Sequence, residues 1–200
     1  MEHFYQNIGE DWMDYQGLYS EMVNHFTDNS HFVEIGSWKG RSASYMAVEI
    51  YNSRKNIKFD CVDTWCGSVE HLDPNSIFFH QELVNDKDWL YYQFLQNTRP
   101  VCDIINPIRM SSLDAVNRYE NRSLDFIFID ASHEYEDVKK DIIAWYPKLK
   151  LGGIIAGHDY TSYYGVKQAV DEILINKNLN IRLENVIIKK YKEIKKKNKK

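Results

Sequence analysis

Apolar residues in this 200-residue chain recur as short runs separated by longer amphipathic stretches, an alternation that predicts an α/β fold on a parallel sheet. Phe32, Val33 and Ile35, the segments 57–62 and 104–109, the run LDFIFID at 124–130 and the run 154–156 are too short for helices and apolar at successive positions. Strands covered on both faces read this way, whereas half-exposed strands alternate. Between them the period changes. Trp12, Tyr15, Leu18, Tyr19, Met22 and Phe26 recur at three- and four-residue steps and predict a leading helix over 12–28. Further helices are predicted at 41–51, 77–96 and 113–119. The stretch ASHEYEDVKKDIIAWYPKLKLGG reads as an amphipathic helix that Ser132 caps and that Pro147 and the Gly152-Gly153 pair end. A last helix over 165–175 carries Val166, Ala169, Val170, Ile173 and Leu174 on one face, and NIRLENVIIKKYK beyond it has room for an antiparallel edge hairpin.

Polar residues at the strand ends are the candidates for chemistry, because a sheet wound this way brings its strand-to-helix turns to one edge. Gly36 stops the first strand and leaves room for a ligand to approach the main chain, and Gly40 opens the helix that follows. Glu34 at that strand's last turn is a fixed acceptor that suits a cationic amine better than a phosphate. The G-x-G-x-x-G of dinucleotide folds is absent, which argues against a nicotinamide-dependent oxidoreductase. Asp63 ends the second strand 27 residues beyond Gly36 and is placed to accept from both hydroxyls of a ribose, with capping of the next segment as the plainer role. Ser111 and Ser112 follow the third strand, and Ser112 is placed to cap the helix at 113–119. The fourth strand ends in Asp130, and the fifth delivers Gly157, His158, Asp159 and Tyr160 to the same edge.

The segment 64–98 is far longer than an ordinary connection, and with Trp65, His71 and His80 it reads as a lid or acceptor-binding element. The length suits one domain over 1–191, followed by a Lys-rich tail at 192–200. Eight of the 25 basic residues and one of the 29 acidic ones lie from Lys189 onward, which leaves 17 and 28 and a body at −11. Such a body repels nucleic-acid backbones, and the tail is expected to be a solvated end. Cys61, Cys66 and Cys102 are odd in number and lack C-x-x-C spacing, so neither a disulfide framework nor a thiolate zinc site is indicated. With no long apolar run and no leader-like N-terminus, the expectation is a cytoplasmic protein without a membrane partner. Its oligomeric state is left open, a homo-oligomer included.

E-x-G-x-x-x-G over Glu34, Gly36 and Gly40 resembles the first motif of class I S-adenosylmethionine-dependent methyltransferases. FIDASHEYEDVKKDIIAWYPKLKLGGIIAGHDY, followed by GVKQAVDEI, resembles the group that includes the macrocin- and mycinamicin-type sugar O-methyltransferases. With FVEIGSWKGRS and CVDTW the resemblance covers about residues 12–173. It implies a Rossmann-like sheet of order 3-2-1-4-5-7-6 with strand 7 antiparallel and helices on both faces, and S-adenosylmethionine as cofactor. The cofactor contacts it implies are Glu34, Gly36, Ser37, Gly40, Ser42, Asp63, Ser111 and Asp130, with Trp12, Tyr15 and Tyr19 lining the site from the leading helix. Asp130 and Asp159 match the family's ligands for a divalent cation such as Mg²⁺, and His133 matches its base. His158 stands where the family often has an acid, and is a second catalytic candidate.

The chemistry of the residues agrees. Methyl transfer from a sulfonium needs an oxygen held in line and relieved of its proton, work suited to a histidine and a carboxylate-bound hard cation. Two classes of function follow: an O-methyltransferase acting on a hydroxyl of a sugar-like small molecule, and a cofactor-binding partner protein without catalysis.

Overall fold

The computed structural model describes residues 1–173, 180–183 and 186–189. Its strands are β1 (His31–Ile35), β2 (Lys58–Asp63), β3 (Ile105–Arg109), β4 (Leu124–Ile129), β5 (Leu149–Gly157), β6 (Asn180–Leu183) and β7 (Val186–Lys189). They pair in the order 3-2-1-4-5-7-6. β1 to β5 run parallel, and β7 lies antiparallel to both β5 and β6. This is the order and the edge hairpin expected. The helices are α1 (Gln16–His25), α2 (Arg41–Ser53), α3 (Val69–Leu72), α4 (Gln81–Asn85), α5 (Trp89–Asn97), α6 (Ser112–Ala115), α7 (Tyr135–Trp145) and α8 (Tyr164–Ile173).

The alternation of each strand sorts its side chains into two cores. Phe32, Phe59, Cys61, Phe126 and Phe128 face one side with residues of α1, α2 and α5. Val33, Ile35, Val62, Ile127 and Ile155 face the other with α7 and α8. Both faces are apolar, so the strands read as unbroken hydrophobic runs, and each fully buried Phe or Ile contributes roughly 1.5 to 3 kcal/mol. Pro107 fits in β3 because, among the described residues, that strand pairs with β2 alone and its other edge needs no donor.

Two glycines fix the first turn. Gly36 has φ +87°, and a Cβ there would lie 1.9 Å from the backbone oxygen of Asp130. The space the sequence reading gave to a ligand is thus filled by the end of β4, and the glycine serves packing of one strand end on its neighbour. Gly40, also at φ +87°, caps α2, and its missing side chain makes room for Thr98 and Phe94.

Several element bounds differ from expectation for local reasons. The leading helix covers Gln16–His25, not 12–28, and Trp12 lies in the segment before it. The helix predicted over 77–96 is instead α4 and α5, separated at Asp86–Asp88, where the Asp86 carboxylate accepts from the Asp88 amide at 2.9 Å and competes with helical bonding. Ser111, not Ser112, caps α6, accepting from the Asp114 amide at 3.2 Å. The helix predicted at 113–119 is a four-residue α6 followed by a 3₁₀ turn. Ser132 lies ahead of α7, whose N-cap is Glu134, and Gly152 and Gly153 lie within β5. Residues 174–175 of the last predicted helix and the Lys-rich tail lie outside the described residues. Among the described residues no helix is long and apolar enough to cross a membrane.

Candidate active site

The carboxyl ends of β1 to β5 lie along one edge, with a topological switch between β1 and β4. Glu34 shares its strand face with Phe32 and points towards α1. Its Oε2 accepts a 2.6 Å hydrogen bond from the Tyr19 hydroxyl, while Oε1 is buried without a partner. The Ser37 and Ser44 hydroxyls are buried and unpartnered too, and Ser42 is buried on the first turn of α2. Burial pushes the Glu34 carboxyl up to about 7, against the pull of the Tyr19 hydroxyl. Open hydrogen-bonding capacity beside a glycine turn suits a polar ligand such as the amino-acid end of a cofactor.

Asp63 stands where expected, and its carboxylate is already engaged. Oδ2 accepts from the amides of Ser37 and Trp38, each at 2.9 Å, and Oδ1 from that of Trp65 at 2.7 Å. The indole of buried Trp65 donates to the Trp38 carbonyl at 2.9 Å. Asp63 thereby ties the β1 turn to the start of the segment at 64–98. Burial raises its pKa, opposed by those amides. A carboxylate has about four acceptor positions, so capacity for a ribose hydroxyl remains.

The densest chemistry lies where β4 and β5 end. The Asp130 amide donates to the Ile35 carbonyl at 2.8 Å, and the His158 amide to that of Ile129 at 3.2 Å, so backbone bonding carries both residues to the edge. Asp159 follows in the left-handed region at φ +65°, a conformation Asp tolerates better than bulky residues. Asp130, His133 and Asp159 each offer a ligand atom, all within 4.8 Å of one another. His133 Nε2 lies 3.0 Å from Asp159 Oδ2, its Nδ1 lies 3.7 Å from Glu70 Oε1, and its ring stacks on Tyr163 at 3.8 Å. His158 lies 3.0 Å from Asp14 through Nε2, and its Nδ1 lies 3.3 Å from Asp159 and 3.7 Å from Asp130. Tyr15 donates to Asp130 at 3.0 Å.

These charges tune one another. Burial lowers both histidines, but the surrounding carboxylates outweigh it: His133 is raised, and His158 is raised to about 9. Burial raises Asp159, yet the two histidines hold its carboxyl far below the ordinary range. Asp130 is raised by burial despite the opposing pull of His158.

The structure therefore gathers Asp130, His133, His158 and Asp159 into one cluster and sets Glu34, Ser37, Ser42 and Asp63 around the glycine turn. Ser111 stands apart, its hydroxyl engaged with Asp114 at 2.6 Å. Asp14, Glu70 and Tyr163 reach the cluster without having been singled out. Asp14 and His158 are 144 residues apart, and no local motif signals such a pairing.

A family model of the methyltransferase domain (Methyltransf_24) matches residues 33–160. Two curated relatives, both described as uncharacterized, are similar to the chain. Protein R132 of Acanthamoeba polyphaga mimivirus is 26% identical over 138 residues, which is 68% of this chain and 54% of that protein. Protein y4gI of Sinorhizobium fredii is 24% identical over 143 residues, 72% of this chain and 14% of that protein. The chain thus spans about half of one relative's length and a seventh of the other's. Among solved structures, the O-methyltransferase NovP superposes with a TM-score of 0.66 at 16% identity, covering 88% of this chain and 79% of that one. That likeness shows the fold.

Proposed function

This chain belongs to the methyltransferase-domain family whose model it matches, and on that premise we propose that it methylates a hydroxyl of a sugar or another small acceptor. It is an S-adenosylmethionine-dependent methyltransferase, and its cofactor would supply a sulfonium-activated methyl for transfer to an acceptor oxygen, with S-adenosylhomocysteine as the leaving group. The remaining work falls to the protein: holding the cofactor, orienting the acceptor and taking a proton. The unpartnered Oε1 of Glu34 and the Ser37 hydroxyl fit the amino-acid end of the cofactor, with Gly36, Gly40 and Ser42 forming the turn around them. Asp63 fits the ribose, and Asp130 lies at the reacting end. Ser111 is the weakest of these contacts, since its hydroxyl is engaged within its own helix turn.

The observation that carries the reading is the convergence of Asp130, His133 and Asp159 at the strand edge beside the glycine turn. A hydroxyl placed there is within reach of an imidazole for proton transfer, a contribution of typically 10² to 10⁴-fold. Likeness to NovP, an O-methyltransferase, supports oxygen as the acceptor atom. Two hard carboxylates within 4.8 Å of an imidazole also fit a divalent cation such as Mg²⁺ or Mn²⁺. Asp130 and Asp159 would hold it, and a bound cation would polarise the acceptor oxygen.

A metal-free variant of the same reaction is favoured by one observation. His158 presents Nδ1 to both Asp159 and Asp130, so an imidazolium there would offset one of the two carboxylate charges that a cation would otherwise balance. S-adenosylhomocysteine release from a panel of neutral glycosides and polyols, with and without excess chelator, tests both readings. Turnover that chelation abolishes and Mg²⁺ restores supports the metal-assisted form, and turnover unchanged in chelator supports the metal-free form. Absence of release with every acceptor, in a protein that binds S-adenosylhomocysteine, would overturn the O-methyltransferase reading.

A further inference from the structure

The sheet edge opposite the candidate active site holds a cleft of about 710 Å³ where α2 ends and β1, β2 and β3 begin. β1 separates the two places: His31 lines the cleft, and Ile35, about 13 Å further along the strand, leads into the glycine turn. The volume falls within the range of small-molecule sites. Ile50, Ile57, Phe59 and Ile104 supply its apolar lining, and exposed Tyr51 joins them.

One polar pair in the cleft is fixed from behind. Asp60 is buried and accepts from Asn106 Nδ2 and from the Tyr119 hydroxyl, each at 2.8 Å, and His31 Nε2 lies 2.7 Å from its Oδ2. Burial raises the Asp60 carboxyl, but these three partners outweigh it and hold the group below its ordinary value. A carboxylate only accepts, so Nε2 of His31 carries the shared hydrogen and Nδ1 of the neutral ring is an acceptor. Among the described residues that Nδ1 has no protein partner.

Two cations of the cleft are open as well. Lys55 is engaged, its Nζ donating to the carbonyls of Val23 and Phe26 at 2.6 and 2.7 Å. Arg54 and Lys58 are exposed, and among the described residues neither side chain has an ion-pair or hydrogen-bond partner. Arg54 caps α2 and offsets the helix dipole, a role that accounts for neither Lys58 nor the cleft. Asp60 is engaged by its donors and Asp103 lies exposed, so the two cations outnumber the carboxylate that a ligand would meet. On an otherwise acidic body this is a local site for an anion. A flat face, an N–H donor and an anion are the ligand features that the apolar lining, His31 Nδ1 and the two cations select together.

We propose that this cleft is a second ligand site, remote from the cofactor edge, that takes a nucleoside monophosphate with an amino-bearing base. The base lies on the apolar lining beside Tyr51 and donates from its amino group to His31 Nδ1, and the phosphate meets Arg54 and Lys58.

The test uses AMP as the probe and the full chain saturated with S-adenosylhomocysteine, whose own adenosine then fills the cofactor edge, with binding read by calorimetry. AMP is expected to bind one to one beside the bound S-adenosylhomocysteine. Adenosine and inorganic phosphate, each lacking part of the contacts, are expected to bind at least about tenfold more weakly, and so is AMP to the variant combining Arg54→Ala and Lys58→Ala. Both side chains are exposed, and an unchanged melting temperature shows that this variant is folded. The dimethylamino analogue of AMP, which has no N–H to give, probes His31 without touching the fold and is also expected to bind about tenfold more weakly. No binding of AMP at millimolar concentration would overturn the proposal. So would AMP binding that saturating S-adenosylhomocysteine abolishes, because the nucleotide would then occupy the cofactor edge. Affinity unchanged in the double variant, or for the dimethylamino analogue, would overturn it too. Failure of S-adenosylhomocysteine to load overturns the methyltransferase reading instead, and the variant and the analogues still decide the proposal.

Discussion

Tyr19 donates a 2.6 Å hydrogen bond from its hydroxyl to Oε2 of Glu34, and both residues are buried. The contact joins α1 to the strand that ends in the glycine turn, so the leading helix is fastened to this part of the sheet by a polar bond as well as by apolar packing. The Tyr19 hydroxyl is raised well above its ordinary pKa by burial and then by Glu34, and therefore remains a donor. Tyr19→Phe removes the donor and leaves a buried carboxylate with fewer partners, a change expected to cost about 1 to 3 kcal/mol. Urea denaturation measures it, and unchanged stability would show that the bond contributes nothing net.

Stability is predicted to fall as pH rises from about 5 to 9. Glu34 has a folded pKa of about 7 against an ordinary 4.5, so the folded state holds a proton that the unfolded chain releases, and its contribution is lost as pH rises across that interval. This amounts to about 3 kcal/mol at most. His158, raised from 6.5 to about 9, has a contribution that is complete below 6.5 and lost as pH rises through its folded value. Both groups act in the same direction. Melting temperature followed from pH 4 to 10 checks the slope, and Glu34→Gln should flatten the acid half of the decline and leave the alkaline half in place.

Asp63 accepts three backbone amides, so its replacement should register in stability as well as in ligand binding. Asp63→Ala strands the amides of Ser37, Trp38 and Trp65 in a largely buried turn, and a loss of about 2 to 4 kcal/mol is expected. Asp63→Asn keeps one acceptor oxygen and should lose less. Because Ser37 lies in the turn proposed to hold the cofactor, S-adenosylhomocysteine affinity should also drop at least about tenfold in the alanine variant. Denaturation and calorimetry on the same variants distinguish a turn clamp from a ribose contact: a clamp alone would lower stability while leaving affinity intact at temperatures where the variant is folded.

The strands were legible because each buried strand is an apolar run too short to be a helix, as LDFIFID shows, whereas their order was what the family resemblance implied and the apolar pattern did not carry it. The glycine turn, Asp63, Asp130 and Asp159 were legible because strand ends in such a sheet share an edge. What the sequence hid were contacts between distant segments. Nothing near Glu70 marks it as a neighbour of His133, and nothing in EDWMDY shows that Asp14 will meet His158. The break between α4 and α5 was missed because Leu83 and Leu90, seven residues apart, keep a helical apolar spacing across it, while the Asp86 side chain takes the Asp88 amide. Gly36 was legible as obligatory but for another reason, since only the fold reveals that the Asp130 carbonyl occupies the place of its side chain.

The central claim is that the cluster of Asp130, His133 and Asp159 is where the acceptor loses its proton. The most direct measurement is turnover by His133→Ala, followed as S-adenosylhomocysteine release across the pH range, alongside calorimetry of S-adenosylhomocysteine binding. With His133 3.0 Å from Asp159 and stacked on Tyr163, kcat is predicted to fall by about 10² to 10⁴, with partial recovery at high pH and cofactor affinity nearly unchanged. Full turnover by His133→Ala at every pH would contradict the account and leave His133 as a residue that only helps to begin α7.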